Sequence, residues 1–208
     1  MVPSDAAVVL VPLKSFGSAK SRLGDLLDPA QRSALVRSMA EVVLAAASPL
    51  RTVVVCDDDE VADFARNLGA AVVSTPPDGL NESLQTAVER AAAAGVRRVM
   101  VVPGDLPFAS DLARFADPAD DGVLMVADRH GEGTNLLSFA PASGFRLQYG
   151  PGSFDAHSVE ARRLGLALRV VEDEAIAWDV DEPEDLSPPT SLGSLPEWLP
   201  DVETCRHP

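Results

Sequence analysis

Short β-branched runs, each followed by a turn-rich segment and then a helical pattern, constrain this chain more than any other feature. Val8-Val9-Leu10-Val11, Val53-Val54-Val55 and Val99-Met100-Val101-Val102 are apolar without alternation and too short for helices. That is the pattern of strands buried on both faces. Between them lie helical segments. Asp28-Pro29 supplies an acceptor side chain and a first-turn proline, and apolar positions recur through Leu35, Val36, Met39, Val42 and Val43 to about Ala47. Asp57-Asp58-Asp59-Glu60 opens a second helix that closes at Gly69, where the acidic run suits a helix amino end better than a metal. A third strand over 70–74 leads into a loop, and Asn81 is the expected cap of a helix over 82–94 that exits at Gly95. Strand and helix alternating at short intervals require parallel pairing with right-handed crossovers. The expected fold is α/β, a three-layer sandwich around a mostly parallel mixed sheet.

The 208 residues, 46% hydrophobic, can bury one sizeable core. One domain is expected over residues 1–190, with a surface tail over 191–208 docked through Trp198 and Leu199. No apolar stretch approaches the ~20 residues of a membrane helix and no signal peptide is visible, so a cytoplasmic protein is expected. Cys56 and Cys205 form neither a metal cluster nor a disulfide framework. A net charge of −15 argues against nucleic acid or an anionic membrane as partner, because either polyanion is repelled at long range. Small anions are another matter. The only two lysines, Lys14 and Lys20, share one loop after the first strand with Arg22, among small residues and glycines that let a ligand approach the backbone. The loop suits phosphates, although neither a Walker nor a Rossmann glycine pattern is present, and a solvated basic loop is the alternative.

Arg98 to Val102 runs into Pro103-Gly104-Asp105-Leu106-Pro107, which puts Asp105 just beyond the carboxyl end of a buried strand. Ligands of open α/β sheets bind in that crevice, although Asp105 could instead cap a short helix near Ser110. Two strands over 122–128 and 135–140, joined by a glycine-rich loop, read as an antiparallel pair forming the second side of a cleft. Ser153, after Gly150-Pro151-Gly152, is expected to cap a helix running to about Leu164, with free amides that attract an anion. His157, one turn further, reads as a surface residue. Gly165 ends that helix, and 166–171 reads as a last strand. Alternation then puts Asp179 and Asp181 on one face, where two carboxylates repel unless a cation such as Mg2+ sits between them. The alternative is an exposed acidic turn with Asp181 capping a helix at Pro183. Asn81 could reach a base or ribose as well as cap. Carboxylates in two distant segments, a basic loop and an anion-type helix start together suggest metal-dependent nucleotidyl transfer.

Five motifs occur here in the order found in the guanylyltransferases of coenzyme F-420 biosynthesis, and the chain resembles that family to about Leu186. They are V-P-L-K-x-x-x-x-A-K-S-R-L at Val11 to Leu23, G-D-L-P at Gly104 to Pro107, G-x-G-T-N at Gly131 to Asn135, G-P-G-S-F at Gly150 to Phe154, and D-V-D-E-P-E-D-L at Asp179 to Leu186. The family comprises 2-phospho-L-lactate guanylyltransferase and its phosphoenolpyruvate-using bacterial relatives. The resemblance implies a nucleotide-diphospho-sugar transferase-like fold and attack of a substrate phosphate on the α-phosphorus of GTP. It implies Mg2+ on Asp105, Asp179 and Asp181. It implies that Thr134, Gly150 and Ser153 hold phosphoenolpyruvate or 2-phospho-L-lactate, and that Lys14, Lys20 and Arg22 face the GTP phosphates; Asn81 and Gly104 are the further candidates for contact with the nucleotide. A homodimer is compatible with it. A molybdenum-cofactor or sugar-phosphate nucleotidyltransferase, or a non-catalytic nucleotide-binding protein, stays open as an alternative.

Overall fold

The computed structural model describes residues 6–74 and 79–195. The loop at 75–78, Trp198, Leu199 and Cys205 lie outside the described residues. Seven strands build one sheet: β1 (Ala7–Pro12), β2 (Arg51–Cys56), β3 (Ala71–Ser74), β4 (Arg98–Val101), β5 (Val123–Ala127), β6 (Thr134–Phe139) and β7 (Leu168–Val170). Their order across the sheet is β3-β2-β1-β4-β6-β5-β7. β1, β2, β3 and β4 run parallel, β6 runs antiparallel to both β4 and β5, and β7 returns parallel to β5. The predicted α/β class and the antiparallel pair are both present.

Helices cover both faces. Val9 and Val11 of β1 face the layer that holds α1 (Pro29–Ala46) and α2 (Asp59–Asn67), whereas Val8 and Leu10 face α3 (Leu80–Ala93) and α4 (Ser153–Arg163). One-residue alternation along a strand thus divides two apolar clusters, which is why the strand sequences read as continuous apolar runs. Leu35, Met39 and Val43 of α1 and Leu84 and Val88 of α3 are almost wholly buried. Truncating any one of them to alanine is expected to cost ~2–5 kcal/mol.

Helix starts follow the sequence in part. Asp28 accepts from Gln31 N–H at 2.8 Å while the Gln31 side chain accepts from Asp28 N–H, a reciprocal cap. Asp58 accepts from Val61 N–H. Two expected caps are corrected. α3 starts from Gly79 at φ 105° rather than from Asn81, and α4 starts from Gly152 at φ 71°, leaving Ser153 as its first helical residue. Positive φ at both positions admits glycine far more readily than a side chain that could cap. The helix expected near Ser110 is a 3-10 turn over Leu112–Phe115. Near the end of the described chain, Thr190–Leu192 forms another such turn and Leu195 packs on the core.

Arg98, the first residue of β4, is 1% exposed. Its Nε donates to Ser138 Oγ at 2.8 Å, Nη1 donates to the carbonyls of Asp120 and Gly122 at 2.7 Å each, and Nη2 donates to Ser138 O at 3.1 Å. Burial lowers its pKa and nearby Asp120 opposes that shift. The buried fork ties β4 to β6 and to the entry of β5, at the end of the sheet opposite the candidate site.

Candidate active site

The chain passes from β1 outward to β2 and β3, then returns to add β4 on the other side of β1. Adjacent strands whose connections leave in opposite directions open a crevice at their carboxyl ends. The loops after β1 and β4 both empty into it. A cleft of about 720 Å³ occupies this position, lined by Lys14, Lys20 and Arg22 from the first loop, Gly104 and Asp105 from the second, Gly79, Leu80 and Ser83 at the start of α3, and Tyr149 and Asp181. The Leu13 side chain folds over Gly104: a Cβ there would stand 2.2 Å from Leu13 Cδ2, which would have to swing aside to admit it.

Lys20 sits at φ 54° and its ammonium donates to Asp105 Oδ2 at 2.6 Å and to Asp181 Oδ1 at 2.7 Å. Burial by itself would lower the lysine pKa, but the two carboxylates outweigh it and hold Lys20 above its ordinary value. Asp181 reaches this point because its segment is fastened on two sides. Val180 N–H donates to Asp105 O at 3.2 Å, and Asp185 Oδ2 accepts from the N–H groups of Asp181 and Glu182 at 2.7 Å each. Asp185 is in turn paired with Arg129, whose guanidinium lies over the Trp178 ring, and Trp178 Nε1 donates to Asp185 O. Asp181 does not cap the turn at Pro183, as the alternative reading had it: Glu182 holds that position, and the Asp181 carboxylate is directed to the lysine.

Asp179 completes the acidic group. Its carboxyl is pushed up to about 6, by burial first and by the charge of Asp105 second, while a hydrogen bond from Asn135 Nδ2 at 3.2 Å opposes the shift. Asn135 also donates to Ile176 O at 3.0 Å. Carrying the β4–β6 register three residues beyond the Val101–Leu137 pair brings Thr134 level with Gly104, which explains how the start of β6 meets the acidic segment.

Among the described residues no three metal-ligating side chains converge as a preformed cage. Asp105 Oδ1 is nevertheless buried without a hydrogen-bond partner among them, and Asp179 is held in the field of Asp105. Hard oxygen donors, one buried and unpartnered, fit Mg2+, which commonly takes one or two carboxylates and completes its shell with water and substrate phosphate. Asp105, Asp179 and Asp181 would hold it.

Thr134, Gly150 and Ser153 cluster beside the cleft rather than lining it. Ser153 Oγ and Thr134 Oγ1 are 3.2 Å apart, and Ser153 N–H donates to Gly150 O at 3.1 Å. Phe154 N–H donates to Glu132 O. Two first-turn amides of α4 are thus already used, and the expectation of a free amide cradle there is corrected. Asn81 is likewise occupied: its Nδ2 donates to Tyr149 O at 2.9 Å and its Oδ1 accepts from Tyr149 N–H at 2.7 Å. Instead of reaching toward a base or ribose, it pins the loop before Gly150. His157 is fully buried, contrary to the surface position expected of it, between Thr134 and Gln148. Sequence reasoning also gave no role to Asn135, Asp185, Arg129 or Tyr149. The only available signal was that the first two fall inside motifs otherwise read for their neighbours.

Known proteins are similar to this chain in sequence and in fold. Residues 7–189 match the family described as "Guanylyl transferase CofC like". A phosphoenolpyruvate guanylyltransferase of Rubrobacter xylanophilus is 38% identical over 185 residues, covering 86% of this chain and 90% of the relative. A 2-phospho-L-lactate guanylyltransferase of Methanothermobacter thermautotrophicus is 31% identical over 182 residues, covering 85% and 81%. Among solved structures, a Desulfovibrio desulfuricans G20 protein described as a nucleotide-diphospho-sugar transferase superposes with a TM-score of 0.67 at 20% identity, covering 87% of this chain and 84% of that one. A nucleotidyl transferase from Methanothermobacter thermautotrophicus superposes with a TM-score of 0.60 at 19% identity, covering 86% and 94%. With nearly the whole described chain inside one family match and the acidic group facing the lysine loop, the chain belongs to the CofC-like guanylyl transferase family.

Proposed function

We propose that this chain transfers GMP from GTP to a phosphorylated three-carbon acid with release of pyrophosphate, in coenzyme F-420 biosynthesis. Phosphoenolpyruvate is the favoured acid and 2-phospho-L-lactate the alternative; the 38% identical relative carries the first name and the 31% identical one the second. The observation that carries the reading is the contact of Lys20 with Asp105 and Asp181 at the strand-order reversal of the sheet.

In this reaction an oxygen of the acid's phosphate forms a bond to the α-phosphorus of GTP, and the α–β bridging bond breaks to release pyrophosphate. The nucleophile is already ionised at neutral pH, so no general base is needed. The work left to the protein is alignment and neutralisation of charge. Lys14 and Arg22 offer cations to the polyphosphate, and Lys20 can turn from the carboxylates toward it. Bound Mg2+ would supply Lewis-acid neutralisation at the reacting phosphates. Thr134, Gly150 and Ser153 hold the acid beside the cleft. A cytoplasmic setting suits GTP as donor, and no described helix is long and apolar enough to cross a membrane. The transferase unit takes in residues 1–190 and leaves 191–208 as a tail.

The test is pyrophosphate release from GTP with phosphoenolpyruvate, 2-phospho-L-lactate or 3-phosphoglycerate, each with and without Mg2+. Release that needs both the acid and the metal supports the reading. Release from GTP alone, or none with any acid, overturns it.

A further inference from the structure

We propose that His157 is a positioning residue that turns the Thr134–Ser153 hydroxyl pair into an obligate hydrogen-bond donor for the anionic oxygens of the acid substrate. The proposal rests on the functional reading above for the identity of that acid. Its internal part, the direction of the hydrogen bonds, rests on geometry alone.

Ser153 and His157 are four residues apart on α4 and so share one helix face. Both are buried there, against Thr134 at the start of β6. The imidazole is held in place by aromatic rings, with Tyr149 edge-on at 4.9 Å and Phe145 tilted at 5.9 Å. Gln148 N–H points at Nε2 from 2.9 Å. A backbone N–H can only donate, so Nε2 carries a lone pair and a neutral ring has its proton on Nδ1. The ring is neutral near pH 7, since burial drives its pKa down to about 4 against a weaker opposing pull from Glu160.

Nδ1 lies 3.1 Å from Thr134 Oγ1, so the threonine oxygen accepts there. Thr134 and Ser153 then share one hydrogen bond at 3.2 Å, which uses one of their two hydroxyl protons. Whichever hydroxyl donates in that bond, the other proton has no acceptor among the described residues. A buried hydroxyl proton without a partner is unfavourable, and an incoming carboxylate or phosphate oxygen relieves it. The polarity of the chain from Gln148 N–H to the hydroxyl pair therefore selects an acceptor ligand, and an anion above a neutral one. The first-turn amides of Ser153 and Phe154 are already used within the protein, which makes the hydroxyl proton the more important donor.

Two variants separate the roles of the two ring nitrogens. His157→Asn keeps a donor near the place of Nδ1 and loses the Nε2 contact. His157→Gln keeps an acceptor near Nε2 and loses the donor to Thr134. In assays of folded protein, His157→Gln is expected to raise KM for the acid about tenfold, the worth of one net hydrogen bond, with kcat and the KM for GTP within about twofold. His157→Asn is expected to stay within about threefold of the wild type. Nitrogen-15 spectra of the unliganded protein are expected to show a neutral Nδ1–H imidazole. An Nε2–H tautomer overturns the proposal whatever the variants do, and so does an equal rise in acid KM for both variants or no rise for His157→Gln. A wild-type chain that releases no pyrophosphate with any acid overturns the functional reading instead, and the tautomer then still decides the direction of the hydrogen bonds.

Discussion

Replacing Lys20 by methionine removes the ammonium between Asp105 and Asp181 while keeping an unbranched stem of similar reach. The lysine side chain is 9% exposed and its two contacts are 2.6 and 2.7 Å, but the partners differ: Asp105 is 26% exposed and Asp181 is 54%. A hydrogen bond to a charged group is worth ~1.5–3 kcal/mol when shielded from water. The same contact to a largely exposed carboxylate contributes little. The Asp105 half therefore dominates. Its other oxygen is already buried without a partner, and Asp179 presses on it with like charge, so the loss should be felt nearly in full. We expect destabilisation of about 2–3 kcal/mol, a fall in Tm of about 5–10 °C for a chain of this length. Thermal unfolding followed by circular dichroism, with and without millimolar Mg2+, is the assay. With the ammonium gone, a divalent cation is expected to raise the Tm of Lys20→Met more than that of the wild type. A variant that melts within about 1 °C of the wild type would refute the claim that the lysine is a stabilising counter-ion. Equal Mg2+ shifts in both proteins would refute the claim that it stands in the place of a cation.

Asp105→Asn is expected to lower turnover by at least ~100-fold, about 2.7 kcal/mol of transition-state stabilisation, with an unaltered far-ultraviolet spectrum; pyrophosphate release near the wild-type rate would remove Asp105 from the chemistry. Arg98→Met, at the far end of the sheet, is expected to cost ~3–5 kcal/mol in chemical denaturation, because three carbonyls and a hydroxyl lose a buried donor together. A cost under ~1 kcal/mol would show that water replaces the guanidinium. For His157 the folded pKa of about 4 lies below the ordinary 6.5, so between these values only the unfolded chain takes up the proton. Its contribution is fully present above pH 6.5 and is lost as the pH falls toward 4, by ~3 kcal/mol in all. Subtracting the stability–pH curve of His157→Gln from that of the wild type isolates this slope, and a flat difference between pH 6.5 and 4 would contradict a buried neutral imidazole.

The strands and the place of Asp105 at the cleft were legible because each depends on short stretches of chain. A run such as Val99 to Val102 reads as a doubly buried strand wherever it occurs, and a carboxylate just past its end can hardly avoid the crevice there. What was misread depends on partners distant in sequence. His157 looks exposed on α4 until Phe145 and Tyr149 close over it from the loop after β6. The glycine caps of α3 and α4 were missed for another reason: side-chain chemistry favours Asn81 and Ser153, while backbone sterics at positive φ favour Gly79 and Gly152, and the backbone prevailed.

The division of labour between the two basic residue types ties the fold to the site. Arginine makes the contacts that fix geometry here: Arg98 on three carbonyls, Arg129 between Trp178 and Asp185, Arg163 on both oxygens of Glu160. A planar fork with several donors suits a partner that never changes. The only two lysines of the chain both line the cleft. An ammonium is a compact charge on a flexible stem, able to exchange a carboxylate for a phosphate oxygen without meeting a new angular requirement. In a chain of net charge −15, the acidic side chains gathered here, Asp105 and Asp181 lining the crevice and Asp179 in the field of both, would repel an incoming polyphosphate. Lys20 masks two of them before the nucleotide arrives, and a charge that can move is what the crevice needs if those carboxylates are then to take a metal.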